Sequence, residues 1–98
     1  MTLPWLPIPR ALASAEYAGW LLLTPPALRT ALLLALRASD EGTVPRAGEA
    51  PERVLDAVVG AGASEHLSEL VGRGVLRVER TTLVLPDLMR WRRECTPG

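Results

Sequence analysis

The chain has 98 residues, enough for one small domain with a single hydrophobic core and too few for a separate catalytic domain. Eleven basic residues balance eleven acidic ones. The long-range attraction to nucleic acid that a strongly basic domain exerts is therefore missing, and only a local cluster of cations could bind phosphate.

All eleven cations are Arg, and Lys, Asn, Gln and Phe do not occur. GC-rich coding produces this bias by itself; selection of Arg for bidentate phosphate contacts is the alternative. Without Asn and Gln, the usual bidentate readers of adenine in the major groove, any base reading falls to Arg, Ser, Thr or Glu. One cysteine, Cys95, and one histidine, His66, give no internal disulfide framework and too few ligands for a protein-only metal site. No cofactor is expected, and the chain suits a reducing cytoplasm.

The opening "MTLPWLPIPRALASAEYAGWLLL" lacks the basic segment and unbroken apolar run of a secretory signal. Its first nine residues read as an extended arm, because proline restricts both itself and its predecessor, with Trp5 docking the arm on the body. From Arg10 to Leu23 a helix is predicted, with Leu12, Ala15, Gly19, Trp20 and Leu23 at three- and four-residue spacing; Glu16 and Gly19 weaken the stripe.

Thr24-Pro25-Pro26 is a helix start, Thr24 capping and proline occupying the first turn. The helix runs through "ALRTALLLALRAS" to the turn at Asp40-Glu41-Gly42. Leu28, Ala31, Leu32, Ala35 and Leu36 form its predicted stripe, from which Leu33 and Leu34 fall away. Such a helix is either wrapped by the rest of the domain or used for self-association. Pro25-Pro26, Arg29 and Arg37 also break the only run approaching the roughly 20 apolar residues that span a bilayer, so a soluble protein with no membrane partner is expected.

"TVPR" supplies a short strand, with Pro45 tolerable only at an edge. A helix follows from Pro51 to Val59, with Val54, Leu55, Ala57 and Val58 inward, and Gly60-Ala61-Gly62 turns the chain. Ser64 is the expected cap of the next helix, whose Leu67, Leu70 and Val71 share a face and which Gly74 ends in the left-handed conformation. Two helices joined by a short glycine-containing turn match the helix-turn-helix unit. "VLRVER-TT-LVLPDL" then alternates, setting Leu76 and Val78 on one face with Leu83 and Leu85 and leaving Arg77 and Glu79 outside. The turn lacks an Asn-Gly or Asp-Gly signal. A last helical turn packs Leu88 and Trp91, exposes Arg90, Arg92 and Arg93, and frays over residues 94–98.

The order helix, strand, helix, turn, helix, two-stranded wing is that of a winged helix. "LTPPALRTALLLALRASDEGTVP", with "VLDAVVG" and "LSELVGRGVLRV", resembles the amino-terminal winged-helix module of phage replisome-organiser and primosomal replication proteins over roughly residues 20–93. The expected fold is a mostly helical α+β domain over residues 10–93, a winged helix-turn-helix with a small hairpin wing and an extra N-terminal helix. The resemblance implies origin DNA binding, helicase-loader contacts or self-assembly.

In a docked helix-turn-helix, the start of the second helix approaches the bases. Here that stretch holds Ser64, Glu65, His66, Ser68 and Glu69, with Arg73 spaced to pair with Glu69. The other cations lie at Arg46 and Arg53, at Arg77 and Arg80 on the wing, and at Arg90, Arg92 and Arg93. Two readings follow. The leading one is a nucleic-acid-binding module of a phage or mobile element, acting in replication or transcription, that binds duplex DNA weakly or non-specifically through wing and tail arginines. The other is a winged helix used for protein contact, as a homodimer or an adaptor. The apolar Leu33, Leu34, Trp5, Trp20 and Trp91 suggest surplus apolar surface and hence a homodimer. No phosphate loop, His pair or general base beside Cys95 points to an enzyme.

Overall fold

A computed structural model of the chain describes residues 18–88, 90 and 91. The expected arm over 1–9 with Trp5, the helix over 10–17, and the tail with Arg92, Arg93 and Cys95 lie outside the described residues. What is described is a small, mostly helical α+β domain with an open three-stranded antiparallel sheet. Among the described residues, no helix is long and apolar enough to cross a membrane.

The first described helix is α1, Ala18–Leu21, which ends two residues before the expected Leu23. Gly19, which weakens the apolar stripe on paper, has a packing reason here: a Cβ built on it would fall inside the van der Waals envelope of the Arg73 carbonyl oxygen. Only glycine lets the two backbones approach this closely.

α2, Pro25–Arg37, starts at the two prolines as expected. Thr24 makes no side-chain cap to its own helix, and its hydroxyl turns to another element instead. The buried face is Ala27, Thr30, Ala31, Leu34 and Ala35, rotated from the predicted stripe. Leu34 is wholly buried, whereas Leu28 and Leu32 pack on the margin of the core. Three alanines at four-residue spacing make a smooth strip on which neighbouring elements can close, and that outweighs the larger leucines beside it.

After α2 the chain turns at Gly42 (φ +77°), where a Cβ would stand 2.8 Å from the Leu85 carbonyl oxygen. β1, Thr43–Pro45, pairs with β3, Thr82–Val84, and β3 pairs with β2, Arg77–Val78. Both pairings are antiparallel and the sheet order is β1-β3-β2. Pro45 thus sits on an edge strand, the one place where its missing N–H is harmless. The register aligns Val44, Leu83 and Val78 in one row. Val44 and Leu83 are buried, but Val78, expected inward, is 37% exposed at the outer end of that row. The Arg80-Thr81 connection contains no positive φ, so it is not one of the primed turns that Asn-Gly favours.

α3, Pro51–Val58, buries Val54 and Leu55; Ala57 is exposed, being about 100° away from the centre of the Val54, Leu55 and Val58 line. Gly60 and Gly62 take positive φ in the turn. A 3-10 turn, Ala63–His66, leads into α4, Leu67–Gly72. Gly74 ends α4 with φ +74°. The Val75 amide donates to the Leu70 carbonyl at 3.0 Å and the Gly74 amide to Val71 at 3.1 Å, the paired bonds of a glycine-terminated helix. Leu70 is fully buried and Leu67 partly so; Val71 is exposed, not inward as its spacing suggested.

Residues 88, 90 and 91 close the domain in a helical turn. Trp91 packs against Trp20, ring centroids 4.7 Å apart, and Trp20 Nε1 donates to Asp87 at 3.2 Å. Trp20, Trp91 and Leu34 are therefore core and add no apolar surface, while Leu33 is half-buried and Trp5 lies outside the described residues.

Candidate functional site

The pair α3 and α4, with the β2–β3 hairpin, carries most of the residues singled out above. Asp56 on α3 accepts from the Ser64 amide at 2.9 Å and from the Ser64 hydroxyl at 3.2 Å. Ser64 is thus not a cap; its own amide is capped by a carboxylate from the preceding helix, while Gly62 stands at the N-cap position. This satisfies a donor at the positive end of the second helix and ties the two helices together.

Glu69 is equally occupied. Its carboxylate accepts from the Thr24 amide at 2.6 Å and from the Thr24 hydroxyl at 2.9 Å. The amide bond is the main cause of a pKa lowered below the usual 4.5, with the Thr24 hydroxyl and the charges of His66 and Arg73 acting the same way against partial desolvation. The expected ion pair between Glu69 and Arg73 does not form, because the carboxylate faces α2. Arg73 is exposed at the C-cap of α4.

Ser68 is exposed and His66 half-buried. His66 lines a groove of about 290 Å³ with Pro26, Arg29, Thr30, Glu65 and residues 59–63. Arg29 was missed from sequence, since nothing distinguishes an arginine in a leucine-rich helix until the helix is oriented.

The arginines are dispersed. Arg46 donates through Nε to the Glu49 carbonyl at 3.0 Å and through Nη1 to the Glu79 carbonyl at 2.7 Å, clasping the loop before α3 to the hairpin. Arg53 lies 3.7 Å from Glu49 in an exposed pair, and Arg77 binds Glu79 at 2.9 Å. Arg80, at the hairpin connection, is exposed and forms no ion pair among the described residues. Arg90, expected to be exposed, is half-buried and engaged. Arg92 and Arg93 lie outside the described residues. Comparison with family models, curated proteins and solved structures finds no match to this chain.

Proposed function

We propose that this domain is a winged helix whose second helix serves protein contact, within a replication or transcription complex of the kind the sequence resemblance implies. The order α2, β1, α3, α4, β2, β3, with β1 joining the hairpin in one sheet, supports the winged-helix reading. Fold alone does not assign a function, so the use of the second helix rests on its surface.

The observation that carries the protein-contact reading is the charge on residues 64–72, the part a docked helix would bring to the bases. It holds Glu65 and Glu69 and no arginine. Ser64 and Glu69 are already bonded within the fold. Phosphate neutralisation supplies much of the affinity of DNA-binding proteins, and this helix offers none of it before Arg73. Val71 within it is exposed, as are Leu21 and Leu22 in the segment between the Gly19–Arg73 and Thr24–Glu69 contacts, side chains suited to another protein surface.

The test is titration with duplex DNA across a salt series. Protein contact predicts no measurable binding even at low salt. Arg80 on the hairpin favours the second reading, duplex binding through hairpin and tail arginines. In that case affinity falls steeply with salt, and replacing Arg80, Arg92 and Arg93 together by Ala makes the slope of log affinity against log salt shallower by about 0.9 per lost contact.

A further inference from the structure

Among the described residues, three exposed large apolar side chains belong to α4 or to the segment that touches it. Leu21 and Leu22 are 54% and 58% exposed, and Val71 is 44% exposed. The segment that carries the two leucines touches α4 and its C-cap at two points, Gly19 on the Arg73 carbonyl and Thr24 on Glu69, so in sequence they fall between those contacts. At about 100° per residue, Ser68 and Gly72 share the outward line of α4, opposite buried Leu70 and flanked by Val71. A Cβ at Gly72 would meet nothing within 4 Å. The helix therefore presents a low ridge of small side chains with aliphatic groups beside it, a shape that lets another helix come close.

Glu65, in the 3-10 turn before α4, and Arg73, at its C-cap, stand at the two ends of this ridge. Both are exposed, and neither forms an ion pair among the described residues. Opposite unpaired charges at the two ends of one short helix match each other when a second such helix lies antiparallel. We infer that the occupant of this face is a second copy of the chain. Two α4 helices pack antiparallel across a two-fold axis near Ser68 and Glu69, setting Arg73 of each copy against Glu65 of the other while Leu21, Leu22 and Val71 close over the centre. A two-fold interface uses one self-complementary patch twice, and this patch has that property. The zero formal net charge of the chain removes long-range repulsion between copies. A seam built on two short helices falls at the small end of specific interfaces, where association is weak.

This inference deepens the protein-contact reading and rests on it. The test is sedimentation equilibrium of the full chain from about 10 µM to about 500 µM, the range in which a weak interface of this size associates, for the native sequence, Glu65→Arg, Arg73→Glu, the double reversal, and Leu22→Glu. All four variants change exposed side chains, and circular dichroism checks that each stays folded. The native chain is expected to dimerise, each single reversal and Leu22→Glu to weaken the dimer about tenfold or more, and the double reversal to restore most of the loss. A native chain that stays monomeric throughout overturns the inference, as does a dimer indifferent to every variant. The same samples titrated with duplex DNA separate the two failures. A monomer that ignores DNA overturns the seam and leaves the protein-contact reading standing, whereas a dimer that binds duplex with a steep salt dependence keeps the seam and overturns that reading.

Discussion

Glu69 binds Thr24 through both the backbone amide and the hydroxyl, fastening α4 to the start of α2 across 45 residues of sequence. Because the folded-state pKa of Glu69 is depressed, its contribution to stability is complete at neutral pH, above the unfolded value, and is lost as the pH falls through the folded value. Glu69→Gln is expected to lower the melting temperature at neutral pH, with a gap to the native chain that narrows below about pH 4.5. A gap that stays constant down to the acid transition would contradict the charge-assisted bond.

Asp56 performs the same service for the 3-10 turn. Asp56→Ala leaves the Ser64 amide without its acceptor and is expected to cost about 0.5–2 kcal/mol, the range for a lost helix cap. Ser64→Ala removes only the hydroxyl bond and is expected to cost less. Urea denaturation of both variants checks the order, and a larger loss for Ser64→Ala would return the capping role to serine.

Gly19, where α1 meets the end of α4, and Gly72, on the outward line of α4, are expected to respond with opposite signs. At Gly72, in open space, alanine gains helix propensity, about 0.5–1 kcal/mol. At Gly19 the same change drives a methyl group into the Arg73 carbonyl and destabilises the domain. Thermal melts of Gly19→Ala and Gly72→Ala that shift in the same direction would disprove the close approach.

Leu70 is fully buried in the core, and Leu70→Ala is expected to cost about 2–5 kcal/mol through lost burial and the cavity left behind. An unchanged unfolding midpoint would remove α4 from the core.

The features legible in the sequence are those set by local stereochemistry. Pro25-Pro26 start α2, Pro45 fixes an edge strand, Pro51 opens α3, and Gly74 ends α4, because each imposes or permits one backbone conformation whatever surrounds it. The face of α2 was not legible. In a helix this rich in Leu and Ala many stripes look equally apolar, and the buried one is chosen by the alanine strip that its neighbours can approach. The polar partners were hidden for a related reason. Glu69 has a basic residue four positions on, Arg73, which suggests a local pair, yet the Thr24 amide reaches it first from a distant part of the chain. Within the proposed interaction face, Glu65, Ser68 and Arg73 were readable as exposed positions on one helix, but Leu21, Leu22 and Val71 were read as core or left unassigned until the packing of α1 on α4 was known.

The stacking of Trp20 on Trp91 joins the first described helix to the last described residues. Trp20 has its ring partner and its Asp87 acceptor only once the chain has been made as far as residue 91. Until residues 88–91 dock, α1 therefore lacks the ring that covers Trp20. Contacts of such long sequence separation are slow to form. Indole emission should report that docking directly during refolding.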